Sequence, residues 1–399
     1  MDQFLRIRVR CGSEPALLLA CSTHELYARD LFIVHSSRKG SIDVSLEAKN
    51  LSLAHNGEIF LENVSFRAEP GITVLVGPTL SGKTTLMRVL AGLVKPDSGS
   101  VDVNGINVDK TSVTKRSVSF VYQQFINYPS LSVFENIASP LRVHKPRISK
   151  EEISDRVSEV AKMLRISELL DRKPSALSGG QQQRVAIARS LARESDVILL
   201  DEPLANLDFK LREQLRDELQ RIFTKASMMV IYSTAEPLEA LDMATHTIVM
   251  SHGRIQQDGQ ALDIYANPHN IPVAQAMSDP PLNLISSSIT STGTGSLGST
   301  LKDRFNGKFT VGIRPHNISL KSESESDIPV DCTVDIAENT GGSTYLHVRV
   351  GEQEKLVLEL DGSHQFDTGN AVTVYLDRSA IFGFDIESGK TLFSPSAVR

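Results

Sequence analysis

The sequence predicts an α/β domain built on a mostly parallel sheet, followed by a small all-β barrel or sandwich. Three observations carry that prediction. Short apolar runs near 72–76, 197–200, 228–232 and 246–250 alternate with helical stretches between about 46 and 265. From about 305 to 395 the helical period is absent, and short β-like runs recur between Gly, Asp and Asn turns. Between these regions, 266–304 reads as a connector. Pro268, Pro272, Pro280 and Pro281 punctuate it, and 286–300 (SSSITSTGTGSLGST) is a loop or hairpin tip.

Taken in order, residues 1–45 sustain no helical or strand period. Arg6, Arg8 and Arg10 crowd the start, and Cys11 and Cys21 follow. The segment is expected to be either disordered or the product of a start codon assigned too early. LEAKNLSLA and IFLENVSFRA form two expected strands, joined by a turn at Asn56-Gly57. Ile72 to Val76 is a buried strand that ends at Gly77. A helix follows Lys83, with Leu86, Val89 and Leu90 on its apolar face. From 130 to 177 the texture is helical. Ser149 and Glu152 form a capping box, and Ile153, Val157, Val160, Ala161 and Leu164 line one face. Strands return at Val197–Leu200, Met228–Tyr232 and His246–Met250. In the last region KFTVGI, CTVDI, YLHVRV, KLVLEL and AVTVYL are the expected strands.

Composition narrows the function classes. The 42 Lys and Arg against 48 Asp and Glu leave a formal net charge of −6, which offers no basic surface for nucleic acid. No stretch reaches the roughly 18 consecutive apolar residues of a membrane span. The early apolar run Ala16–Cys21 falls short of a signal-peptide core of roughly 7–15 residues. Cys11, Cys21 and Cys332 share no metal-like spacing, and so sparse a count fits a reducing cytoplasm.

One segment carries specific chemistry. Gly77-Pro78-Thr79-Leu80-Ser81-Gly82-Lys83-Thr84, continued by Thr85, fits the P-loop pattern G-x-x-x-x-G-K-[ST]. Its glycines let successive amides turn inward, and the following helix start adds positive potential. Lys83 is suited to β- and γ-phosphates, and the Thr84 hydroxyl to Mg²⁺. The bland reading is a glycine turn, but the segment lies where the motif requires, after a strand and before a helix. Asp201 and Glu202 end a second buried strand. Asp201 is suited to Mg²⁺ through water, and Glu202 to orienting or deprotonating attacking water. Leu177-Ser-Gly-Gly-Gln-Gln-Gln-Arg184 reads as a capped helix start with an anion-friendly tip at Ser178.

The order P-loop, LSGGQQQR, ILLDEP resembles the nucleotide-binding subunit of ABC transporters over roughly 46–265. The resemblance implies an ATPase with ATP and Mg²⁺ as cofactors. It implies two cassettes that sandwich two ATPs head to tail, so that Ser178, Gly180 and Gln181 contact the partner's nucleotide. By the same resemblance Gln123 touches Mg²⁺ and links to the membrane subunits, and the segment to about Leu141 receives their coupling helix. Leu204 to Asp208 matches the loop at the dimer seam. VGIRPHNISL and FGFDIESGKTL resemble the OB-like accessory (TOBE-type) barrel of carbohydrate importers of the maltose/glycerol-3-phosphate type, closest in wording to the glycerol importers. Two membrane permeases, indirectly a periplasmic solute-binding protein, and a peripheral position on the cytoplasmic face of the inner membrane are implied with it.

Two positions depart from the pattern. Ala235, in Thr234-Ala-Glu-Pro237, stands where the family carries a histidine that contacts the γ-phosphate. A methyl group makes no hydrogen bond, and losing one such contact typically costs about 10²–10³ in rate. Thr234 or Glu236 are the nearby candidates to compensate. His246 and His252 lie in the next strand and turn, too far along the chain to substitute. His55 aligns with the adenine-stacking aromatic, where an imidazole offers less area, or else faces water in its turn. An impaired site implies a heterodimer with a paralogue that keeps its histidine. Alternative readings are a non-hydrolytic regulatory subunit, a molybdate-type oxyanion importer ATPase, or a soluble ABC ATPase of DNA repair or translation. The last is disfavoured because no second P-loop is present.

Overall fold

A computed structural model describes residues 44–395, except 125, 144–145, 194, 206, 208, 227, 287–308 and 352–353. The expected extension, save its last two residues, lies outside the described residues. So do most of the 286–300 loop and Asp208 of the dimer-seam motif.

Strands β1 (Leu46–His55), β2 (Glu58–Ala68), β4 (Ser98–Val103) and β5 (Ile106–Asn107) form an antiparallel sheet ordered β2-β1-β4-β5. Asn56 and Gly57 both take positive φ, 52° and 83°, the backbone that a two-residue hairpin turn demands. Strands β3 (Gly71–Val76), β6 (Val118–Val121), β7 (Val197–Asp201), β8 (Met229–Thr234), β9 (His246–Ser251) and β10 (Arg254–Gly259) form the central sheet. Its order is β10-β9-β3-β8-β7-β6, parallel except for the edge strand β10.

Both faces of that sheet are covered, which is why its inner strands are mostly apolar and almost wholly buried. Along β3, Ile72, Val74 and Val76 enter one core with the helical layer. Leu75 enters the other, beneath α1 (Lys83–Leu90) and the antiparallel sheet. The period of two assigns successive residues to opposite layers. Helices α2 (Val133–Arg142), α3 (Lys150–Met163) and α4 (Gly179–Ala192) pack together with α5 (Phe209–Ala226) and α6 (Pro237–Met243) on the first side. In α3, Val157, Val160, Ala161 and Leu164 are buried and Ile153 is half-buried. Ser149 caps α3 by accepting from the Glu152 amide at 3.0 Å.

Two short helices, α7 (Ala261–Ala266) and α8 (Ile271–Ala276), lead into the C-terminal strands. There β11 (Asn283–Ser286), β12 (Phe309–Ile313), β18 (Phe382–Asp385) and β19 (Thr391–Phe393) form one sheet. Strands β13 (Ile318–Ser319), β14 (Ile328–Asn339), β15 (Ser343–Val350), β16 (Glu354–Asp361) and β17 (Ala371–Leu376) form the other. Both sheets contribute to a single apolar core. The runs expected as strands are strands. Strands β4, β5, β6, β10, β11, β13, β18 and β19 escaped sequence reading: most are too short to display a period, and β4 (SGSVDV) and β10 (RIQQDG) carry few apolar side chains.

Candidate functional site

The site forms where three parallel strands end side by side. Val76 of β3 pairs with Thr234 of β8 on one flank and with Val249 of β9 on the other. The chain leaving β3 at Gly77 is therefore enclosed. A Cβ on Gly77 would lie 2.2 Å from the Met250 carbonyl oxygen, so no side chain fits. Gly82 has φ 101°, and a Cβ there would lie 2.9 Å from the Phe60 carbonyl oxygen. Leu80 adopts φ 67° and is 96% exposed, and Pro78 and Thr79 are also exposed. The Ser81 hydroxyl is buried and has no hydrogen-bond partner among the described residues. Thr85 is half-buried in the first turn of α1.

Lys83 is 3% exposed, and its Nζ donates to the carbonyls of Gly77 (2.7 Å) and Pro78 (3.0 Å). The same ammonium lies 3.6 Å from Glu202 Oε1. Burial pushes the Lys83 pKa down, and the Glu202 and Asp201 carboxylates work against that shift. The Thr84 hydroxyl donates to Asp201 Oδ1 at 3.0 Å, and Gln123 Nε2 donates to Glu202 Oε2 at 2.8 Å. Residues expected from separate motifs thus meet at one place, brought there by α1, the loop after β6, and the end of β7. Ser233 was missed by sequence reading. Its hydroxyl donates to Asp201 Oδ1 (2.8 Å) and accepts from the Glu202 amide (3.0 Å). Glu202 itself sits at φ 44°, a left-handed position held by this amide bond and by a second one to the Ser233 carbonyl at 3.1 Å. Inside a strand pattern, a serine that braces two carboxylates looks like any small strand residue.

Ser178, Gly180 and Gln181 stand apart from that cluster, at the tip of α4. Ser178 Oγ accepts from the Gln181 amide, and Gln181 Oε1 accepts from the Ser178 amide, so the capping box is complete. Ser178 and Gly179 are exposed while Gly180 is buried against Leu211, where a Cβ would lie 2.4 Å from Cδ2. None of the three bonds to Lys83, Thr84, Asp201 or Glu202 among the described residues. His55 is exposed at the β1–β2 turn, opposite Glu58, in the hairpin whose Phe60 carbonyl abuts Gly82.

Ala235 is exposed on a cleft of about 530 Å³ that Pro78, Glu236, Ser251, His252 and Asp279 also line. The two neighbours considered as compensators are already engaged. Thr234 is buried and accepts from the Glu236 amide at 2.9 Å, and the Glu236 carboxylate is paired with Arg212 at 2.7 Å. His252 needs a correction. Its distance along the chain placed it out of reach, yet β9 is the immediate neighbour of β3, and both His252 and Ala235 open onto one cleft. His246, at the opposite end of β9, lies beside Asp258 instead. A second cleft of about 470 Å³, lined by Phe120, Tyr128, Leu131, Val143 and Arg189, opens between the loop after Gln123 and α4.

Comparison with known proteins agrees with this geometry. Residues 61–205 match the ABC transporter family model, and residues 311–384 match the TOBE domain. The sn-glycerol-3-phosphate import ATP-binding protein UgpC 3 of Rhizobium johnstonii is 36% identical over 324 residues, covering 81% of this chain and 92% of that protein. UgpC of Escherichia coli is 35% identical over 332 residues, with 81% and 92% covered. Among solved structures, a dimeric ATP-binding cassette in a post-hydrolysis state, bound to ADP and Pi, matches with TM-score 0.50. It is 30% identical over 54% of this chain and 98% of that one. By these matches, which cover most of the chain, it belongs to the ATP-binding subunits of ABC transporters, as an ATPase with a TOBE domain.

Proposed function

We propose that this chain couples ATP hydrolysis to uptake of sn-glycerol-3-phosphate, or of glycerol or a related small carbohydrate, from the cytoplasmic face of the inner membrane. Convergence of Lys83, Thr84, Gln123, Asp201 and Glu202 supports the chemistry. The names of the relatives support the solute class. Regulatory and oxyanion readings have no comparable support. Two permeases dock over the cleft at Tyr128 and Arg189, and a periplasmic binding protein delivers solute to them.

In this reading the amides of Gly77 to Thr85 wrap the phosphates, and Lys83 exchanges its two carbonyl acceptors for phosphate oxygens. The Thr84 hydroxyl, Asp201 and Gln123 present hard oxygen donors that suit Mg²⁺. The Thr84–Asp201 approach already gathers two of them. Magnesium supplies charge neutralisation at the phosphates. Glu202 accepts the proton of the attacking water, and Gln123 and Ser233 hold it in place. His55 lies along the adenine, and Ser178, Gly180 and Gln181 complete the site of the opposite cassette.

Ala235 leaves the γ-phosphate without its usual imidazole, and Glu236 is tied to Arg212. We therefore assign this subunit to a heterodimer with a paralogue that retains the histidine. Here the chain's own P-loop mainly holds ATP while its LSGGQ helix serves the active site. The reading is tested by phosphate release from the purified chain alone and from its mixture with the co-encoded paralogue. Slow turnover alone and fast turnover in the mixture are expected; fast turnover alone defeats the asymmetry. Uptake of labelled glycerol-3-phosphate and glycerol by the reconstituted complex settles the solute.

A further inference from the structure

We infer that His252 is a γ-phosphate-binding residue that makes this subunit hold ATP in preference to ADP; the inference rests on the ATP-binding reading above. Sheet order carries it. Gly77 emerges from β3 between β8, which runs into Ala235, and β9, which ends at Ser251 and runs into His252. Neighbouring strands lie roughly 5 Å apart, about the span of an imidazole side chain, so His252 reaches the mouth of the P-loop from the β9 side. A histidine at 235 would reach it from the β8 side.

The turn that bears His252 is clamped to the loop it would serve. His252 and Gly253 take φ 50° and 73°, and Ser251 pairs with Arg254 across a two-residue hairpin. The Gly253 amide donates to the Ser81 carbonyl at 3.0 Å, and the Gly253 carbonyl accepts from the Glu62 amide at 2.9 Å. The ring is oriented as well: Ser251, itself buried, has its hydroxyl 2.8 Å from His252 Nδ1. When that hydroxyl donates to Nδ1, the neutral ring carries its proton on Nε2, a donor aimed away from Ser251 and free for a phosphate oxygen.

The same order explains why such a contact binds and does not catalyse. Glu202 directly follows β7, beyond β8, so its water lies on the Ala235 flank of β3. His252 stands on the other flank. It grips the γ-phosphate but cannot hold that water in line. ADP has no γ-phosphate and gains nothing from this group.

Calorimetry on the full chain, with Mg²⁺ and either ADP or the β,γ-imido analogue of ATP, tests the inference. Asn tolerates the left-handed backbone at 252 but its amide is shorter, so His252→Asn preserves the turn and withdraws the contact. Affinity for the imido analogue is expected to fall roughly tenfold with ADP affinity unchanged. Ser251→Ala, which frees the ring, is expected to lower analogue affinity by a smaller factor and again to spare ADP. An unchanged analogue affinity in His252→Asn, or an equal fall for both nucleotides, overturns the role of His252 and leaves the ATP-binding reading standing. A parent chain that takes up neither nucleotide overturns both.

Discussion

Lys83 is buried, and its ammonium spends two hydrogen bonds on loop carbonyls and lies against the Glu202 carboxylate. Neutralising Glu202 removes a charge that supports the protonated lysine and, in the proposed mechanism, the acceptor for the water proton. Glu202→Gln in the purified chain alone is expected to cut its slow phosphate release by at least about 10² while nucleotide binding persists. The pairing of these two outcomes separates a lost base from a lost binding site. At the facing position, Ala235→His restores a donor beside the γ-phosphate. Turnover of the lone chain is expected to rise by about 10²–10³, read by phosphate release under saturating ATP. No increase would place the rate limit elsewhere than at the missing imidazole.

At the level of elements, α3 and α4 begin with the same device, which Ser132 also supplies to α2, and differ in what the device serves. Ser149 caps α3 and Ser178 caps α4, each through the amide three residues on. Removing either hydroxyl costs about 1 kcal/mol of stability and lowers Tm by roughly 2–3 °C. Only the α4 cap lies in the LSGGQ motif, which in the proposed reading completes the opposite nucleotide site. Ser149→Ala is therefore expected to shift Tm without changing turnover. Ser178→Ala is expected to shift Tm similarly and also to depress hydrolysis in the heterodimer mixture. Melting by circular dichroism, set beside phosphate release, distinguishes the two. Equal loss of turnover in both would show that α4 acts through stability alone.

Across the whole molecule, Arg314 ties the C-terminal strands to the segment that leads from the ATPase sheet. Its guanidinium is 5% exposed and lies 3.5 Å from the Tyr265 ring centroid and 4.9 Å from that of Phe382. It also donates to the Tyr265 carbonyl and to Ser278 Oγ. Burial pushes its pKa down, a cost that the Tyr265 contact partly offsets. Arg314→Ala leaves these acceptors without their donor and is expected to cost about 2–3 kcal/mol. Calorimetry should show the loss as a lower first unfolding transition. Ser278 adjoins Asp279 on the Ala235 cleft, so the same contact fixes one wall of that cleft.

The P-loop, the Asp201–Glu202 pair, the LSGGQ helix and the missing histidine were legible in the chain because each is a local pattern of fixed spacing. Their chemistry follows from residue type: glycines that admit a close backbone, a lysine, a hydroxyl and two carboxylates. Ser233 and His252 were not legible. Ser233 of β8 is the register partner of Asp201 of β7, and His252 follows the strand next to β3, and strand order is a property of the folded sheet. Distance along the chain carries no information about which parallel strands become neighbours, because each crossover helix separates them by dozens of residues. Local pattern therefore specified the parts proposed to touch phosphate, and packing alone decided which side chains flank them.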